Sequence, residues 1–254
     1  MKRRRIETAI LMILKMLFRR RIVIIAILLL PVVFLTIVEL TAPVRIIPFR
    51  LASVKDALFI SESLKKIALV FFSVTSSGFL SSLLALSLIQ IEVDVNRRLI
   101  ICGYSPSEIL ISNLLSLLFL IIAIALYVGI LVSKFLPLEH FMQFIAGLIL
   151  IGFVYGCYGL AVGSLIRGKL EGVFFIVMLA NIDAGWLQNP MYYAEASNNI
   201  IIRYLPAYYP SQSAIIAAFT DFPGGSASLF SILYGTLFLI LALLIYYNKM
   251  RIRK

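Results

Sequence analysis

Residues 107–132 read SEILISNLLSLLFLIIAIALYVGILV, and after Glu108 the stretch carries no charge. A bilayer's hydrocarbon core is about 30 Å thick and an α-helix rises about 1.5 Å per residue, so roughly 20 apolar residues cross it. The apolar side chains run consecutively and do not alternate, which excludes a barrel strand. Only a helix then keeps every backbone N–H and C=O paired inside lipid. The stretch is a transmembrane helix by this reading.

Five further stretches of the same kind stand between charge clusters, at 22–40, 66–91, 140–166, 170–188 and 227–247. The chain has 254 residues, 62% hydrophobic and 14% charged, whereas a soluble domain carries roughly a quarter charged residues. The sequence therefore predicts an all-α membrane protein, one transmembrane domain over 1–254 with six spans. The formal charge of +11 is spread over helix ends and forms no single basic face, so nucleic acid is not an expected partner. Arg45, Arg50, Lys55, Lys65, Lys66, Lys134 and Arg203 fall on one side of a six-span layout, and the other sixteen of 23 basic residues fall on the other. By the positive-inside rule both termini face the cytoplasm of a cell membrane protein. Arg21 leads into a run of spanning length with no small-residue cleavage site, so the first span is expected to be retained.

Residues 1–21 open with Lys2, Arg3, Arg4 and Arg5 and close with Arg19, Arg20 and Arg21 around an apolar stretch too short to span. Ile6, Ile10, Ile13, Leu14 and Leu17 share one helical face, which fits an amphipathic helix in the headgroup plane; a basic tail that only sets orientation is the alternative. Pro31 is expected to kink the first span. The second span holds Ser73, Thr75, Ser76, Ser77, Gly78, Ser81, Ser82 and Ser87. Tight packing is preferred for them over a pathway wall, because small residues let helices approach closely. Gly152, Gly156, Gly159 and Gly163 repeat that signal in the fourth span, and internal contact is expected there too.

The fifth span is cleanly apolar only to Ala180 before Asn181, Asp183, Gln188, Asn189 and Pro190, so it reads as shortened and broken. Asp183 falls roughly 20 Å along it, at membrane depth. Intramembrane acids mark transport pathways or pair internally, and both roles stay open for Asp183. The following segment clusters Tyr204, Leu205, Pro206, Tyr208, Tyr209 and Pro210 and is too apolar for a solvated loop. It reads as a re-entrant outer segment, tyrosines being suited to interfacial depth. Asn181, Asp183, Gln188, Tyr204, Pro206, Tyr208 and Tyr209 are the candidate path or outer gate.

No catalytic constellation emerges, so the chain is expected to be no enzyme and to hold no cofactor or metal of its own. Gly163 to Leu170 nearly matches a phosphate-binding loop, but Leu170 stands where a Ser or Thr hydroxyl must reach magnesium, and a membrane helix precedes it where a strand is required. His140, the single histidine, reads as interfacial. Cys102 and Cys157 are too differently placed for a structural disulfide.

The most specific stretch joins spans two and three: Glu92, Asp94, Arg97 and Arg98 in a short charged helix, a turn through Gly103 and Tyr104, then Ser105 as N-cap and Pro106 at the first helical position, followed by Glu108. A charged helix displayed beneath a membrane suits docking in a groove of a soluble partner; an ordinary connection is the alternative. Here the sequence resembles the permeases of the ABC-2 family of ABC transporters, in which an acidic and basic coupling segment precedes an apolar-Pro-x-x-Glu-Ile-Leu restart. Pro106, Glu108, Ile109 and Leu110 stand for the restart, with the single residue Ser107 between the proline and the glutamate. The Gly-Thr step before the basic residues is missing, and Asn113 replaces a common Lys.

The layout adds to the resemblance: a basic N-terminal helix, six spans, and Leu205-Pro206-x-Tyr208-Tyr209-Pro210 between the last two. The resemblance implies an exporter's transmembrane subunit, with a second permease copy and separate ATPase subunits that bind ATP and Mg. Glu92, Asp94, Arg97, Arg98, Gly103, Tyr104, Pro106 and Glu108 would couple the two. An ion-coupled carrier or channel, motivated by Asp183, is the competing class.

Overall fold

The computed structural model describes residues 2–51, 59–91, 99, 101–166, 168–189, 192, 199–221 and 224–252. Six of its helices are long and apolar enough to cross a membrane: Arg21–Thr41, Leu64–Gln90, Ser107–Ser133, Phe141–Leu165, Lys169–Leu187 and Gly225–Ile245. Each lies within about two residues of the stretch expected from sequence. In chain order, α1 (Lys2–Phe18) comes before the first span, and the first five spans are α2 (Arg21–Thr41), α3 (Leu64–Ile91), α4 (Pro106–Ser133), α5 (Phe141–Leu165) and α6 (Lys169–Ala180), which passes into a π-helix over Asn181–Leu187. The short α7 (Asn199–Arg203) and α8 (Tyr208–Phe219) precede the last span, α9 (Gly225–Ile252). The protein is thus a mainly helical, multi-pass membrane protein.

The helical bundle agrees with the all-α expectation and carries one short hairpin besides. Strands β1 (Ile46–Arg50) and β2 (Phe59–Ser63) pair antiparallel between the first two spans, from Ile46 opposite Ser63 to Arg50 opposite Phe59. Ile46, Ile47 and Ile60 are β-branched and, with the flanking aromatics, favour a pleated surface. The ends of α2 and α3 bring the strands together, joined by the Lys65–Glu39 ion pair and by Leu64 N–H donating to the Arg45 carbonyl at 2.8 Å.

The core lies where α3 meets α5. Gly159 rests on the Ser82 backbone, and Gly152 packs on Ile121 of α4 and the Ser81 hydroxyl. The repeated glycines of α5 therefore make internal contacts, two facing α4 and two facing α3. The α3 serines serve the same closeness: Ser73, Ser76, Ser81 and Ser82 donate back to carbonyls of their own helix, which removes the need for partners across the bundle. The helix α2 runs through Pro31, which is buried. Tyr127 of α4 donates to the Leu28 carbonyl at 2.7 Å, beside the Ile27 carbonyl that the proline leaves without an amide.

Side-chain bonds sort the loops to two ends. Arg5 reaches the Gly103 carbonyl, and Gln90 donates to the carbonyls of Ile166 and Gly168 at 3.3 Å, so the N-terminus and the loops after α3 and α5 share one end. The hairpin, the α4–α5 turn and the chain between α8 and α9 share the other, where His140 meets Asp221. The apolar stripe of α1 is spent on protein: Ala9, Ile13 and Leu17 are buried, and the helix packs against α4 and α2.

Candidate functional site at the Asp183 junction

The fifth span does not break. After Ala180 the helix widens by one residue per turn, so that Gln188 N–H donates to the Asp183 carbonyl at 3.1 Å. Such π-turns carry an unfavourable local geometry and concentrate at functional positions. Asn181, which looked like a breaker, supports the widening: its Nδ2 donates to the Val177 carbonyl at 2.8 Å.

The π-turn places the Asp183 carboxyl wholly out of solvent. Its Oδ2 accepts from the Tyr155 hydroxyl of α5 at 2.8 Å and from Ala207 N–H at 2.8 Å. Its Oδ1 accepts from Gln188 Nε2 at 3.1 Å, and that amide also lies 3.4 Å from the Ile202 carbonyl. Ala207 is the N-cap of α8, so the carboxyl sits at the positive end of that helix dipole. Next to it, the Thr75 hydroxyl of α3 lies 3.0 Å from the carbonyls of Ala184 and Phe71. One side chain thereby ties together the fifth span, the Gly-rich α5 and the entry to α8, with α3 braced alongside.

What the junction holds is a helix of twelve residues, ten of them buried, lying against α5, α3 and α9. Gly147 makes room for it, since a side-chain carbon there would come within 2.9 Å of the Ala214 backbone. Gln212 on α8 is fully buried, and neither of its amide atoms has a partner among the described residues. Between α5, α8 and α9 lies a cavity of about 280 Å³ bordered by Gln143, Ser213, Ile216 and Ser228.

The candidate path residues therefore divide. Asp183, Gln188, Pro206 and Tyr208 are buried together around the start of α8. Asn181 and Tyr204 are exposed, and the Tyr204 backbone carbonyl accepts from the Tyr234 hydroxyl of α9 at 2.8 Å. Tyr209 stacks on Phe230 at 4.8 Å and meets Tyr208 edge-on at 5.0 Å, which fastens α8 to α9 through aromatic contacts. Tyr155 and the Ala207 amide have no counterpart in the sequence reading, and Thr75 stands there only among the packing residues of the second span. Tyr155 carried a usable signal, as a large polar-tipped residue between Gly152 and Gly156.

At the opposite end, the turn into α4 is built as the sequence predicts. Ser105 caps the helix by accepting from Glu108 N–H at 3.3 Å, and Glu108 Oε2 accepts from Ser105 N–H at 2.9 Å. Pro106 occupies the first helical position. Gly103 adopts φ +86°, a conformation that suits glycine. Its carbonyl accepts from Arg5 Nη1 at 3.0 Å, and the Arg5 guanidinium lies 5.7 Å from the centre of the Tyr104 ring. Glu92, Asp94, Arg97 and Arg98 lie outside the described residues.

Arg5 thus ties α1 to the turn, and Arg5→Ala is expected to free it. A nitroxide on Cys102, which is exposed while Cys157 is buried, should give a narrower spectrum in the variant. The two lost contacts are together worth about 1–2 kcal/mol at an exposed site. An unchanged spectrum would show that the turn is held by other groups.

No protein-family model matches this chain, and no curated protein matches it either.

Proposed function

We propose that the chain is the membrane-spanning subunit of an ATP-driven exporter of the ABC type, paired with a second copy and docked to separate ATPase subunits. The observation that carries this reading is the turn into α4: a capped helix start, held by Arg5 against α1, at the end of the bundle that gathers the basic residues. A rigid turn continuous with a long helix can pass a push from a soluble partner into the bundle, which a flexible loop cannot. Residues 92–108 would be the contact, and ATP and Mg would belong to the partner.

The same reading sets the protein in the cell membrane with both termini in the cytoplasm, α1 at the inner interface and α7–α8 re-entering from outside. The Asp183 junction would close the outer end of the path, and a drug, peptide or lipid-like amphiphile is the substrate class. An ion-coupled carrier needs a carboxyl open to its ion. Asp183, with three donors and no exposure, supports that class less well.

The test is affinity purification of the tagged chain from its native membranes in mild detergent. A nucleotide-binding subunit should accompany it, and replacing residues 92–98 by Gly-Ser repeats should release that subunit while the chain still folds. Retention of the ATPase after replacement, or transport driven by an ion gradient in vesicles free of ATP, would overturn the reading.

A further inference from the structure

At the hairpin end of the bundle, three metal-ligating side chains from two distant stretches converge. Glu139 and His140 stand at the entry to α5, and Asp221 lies beyond α8 on the way to α9. One donor atom from each lies within 4.8 Å of the other two. His140 Nε2 and Asp221 Oδ1 are 2.8 Å apart although 81 residues separate them in sequence. We propose that Glu139, His140 and Asp221 form a binding site for a borderline divalent cation of the Zn²⁺ class.

The donor set selects the ion. An imidazole with two carboxylates suits zinc and its neighbours, whereas calcium and magnesium prefer oxygen alone. Around a tetrahedral zinc with bonds of about 2.0–2.1 Å, ligand atoms stand about 3.3 Å apart, so the His140–Asp221 pair must open by roughly half an ångström. The Asp221 side chain is 93% exposed and free to make that adjustment. Water would complete the shell. The consequence is mechanical: the ion would staple the start of α5 to the chain leading into α9, and Gln143 and Gly224, three residues from His140 and Asp221, border the 280 Å³ cavity. This site stands independently of the export reading.

His140 is the only histidine in the chain, which makes the test specific. The full chain, carrying Cys102→Ser and freed of any histidine tag, is washed with chelator in detergent and titrated with ZnCl₂ by calorimetry. About one equivalent should bind in the micromolar range, and His140→Ala and the exposed Asp221→Asn should each weaken binding at least about tenfold. With ¹⁵N-histidine labelling, the single pair of ring nitrogens should shift on saturation with zinc. Equal affinity in both variants, ring nitrogens unmoved by zinc, or no saturable binding would overturn the proposal.

Discussion

Asp183→Ala is expected to destabilise the folded protein by about 3–5 kcal/mol, because it strands three donors, the Tyr155 hydroxyl, the Ala207 amide and the Gln188 side chain, in a site without solvent. Each buried donor left unpaired costs about 1–3 kcal/mol, with some relief from relaxation of α8. Asp183→Asn should cost far less, about 1–2 kcal/mol. Its carbonyl still accepts, and Gln188, whose Oε1 has no partner among the described residues, can turn its amide to accept from the new NH₂. Tyr155→Phe removes one donor and leaves the carboxyl two others, and in combination with Asp183→Asn it should prove non-additive, as expected for groups in one network. Heating the Cys102→Ser chain with a thiol-reactive dye reports this directly, since Cys157 is 2% exposed and becomes reactive only as the bundle opens. Equal stability of Asp183→Ala and the parent would show that the junction carries no load.

Gly159→Val is expected to be at least as severe, for a reason of space. A side-chain carbon on residue 159 would overlap the Ser82 carbonyl oxygen and come within 2.9 Å of Ser82 C and Cα. Those atoms belong to the backbone of α3, so relief requires moving one central helix off the other. Overpacking of this kind costs about 1–3 kcal/mol where side chains can yield and more where backbone must. Loss of folded protein in detergent is therefore expected. Gly225→Ala is the matching control: nothing lies within 4 Å of its added carbon, and it should be neutral or stabilising by up to about 1 kcal/mol. Should the Gly159 variant melt with the parent, the contact between α3 and α5 would have to be looser than it is here.

Much of the fold could be read from runs of apolar residues alone. Burying about 20 side chains in lipid leaves a backbone no choice but to satisfy its own hydrogen bonds, so length and hydropathy set the six spans without any tertiary information. Local chemistry also fixed the start of α4: Ser105, Pro106 and Glu108 act over three residues, and the capping box formed as their spacing demands. The hairpin escaped because strands of five residues become stable only when their ends are brought together, and here α2 and α3 do that.

The site was half legible. Asp183 and Gln188 were singled out because polar groups at membrane depth are costly and must be answered. What answers them was hidden, since Ala207 contributes a backbone amide that any residue but proline could supply, and Tyr155 lies 28 residues away on another helix. The apparent break after Ala180 turned out to be a widened turn, a distinction of one residue in hydrogen-bond register that composition cannot express. His140, alone in sequence, gained a meaning only when the chain brought Asp221 to it. Sequence by itself determined that the chain lives in a membrane, where its helices begin and which polar groups need partners, because those follow from local periodicity and the cost of burial. Tertiary structure alone decided the partners: whether a carboxyl faces a path or a helix end is set by how α3, α5 and α8 pack, through contacts between residues far apart in the chain.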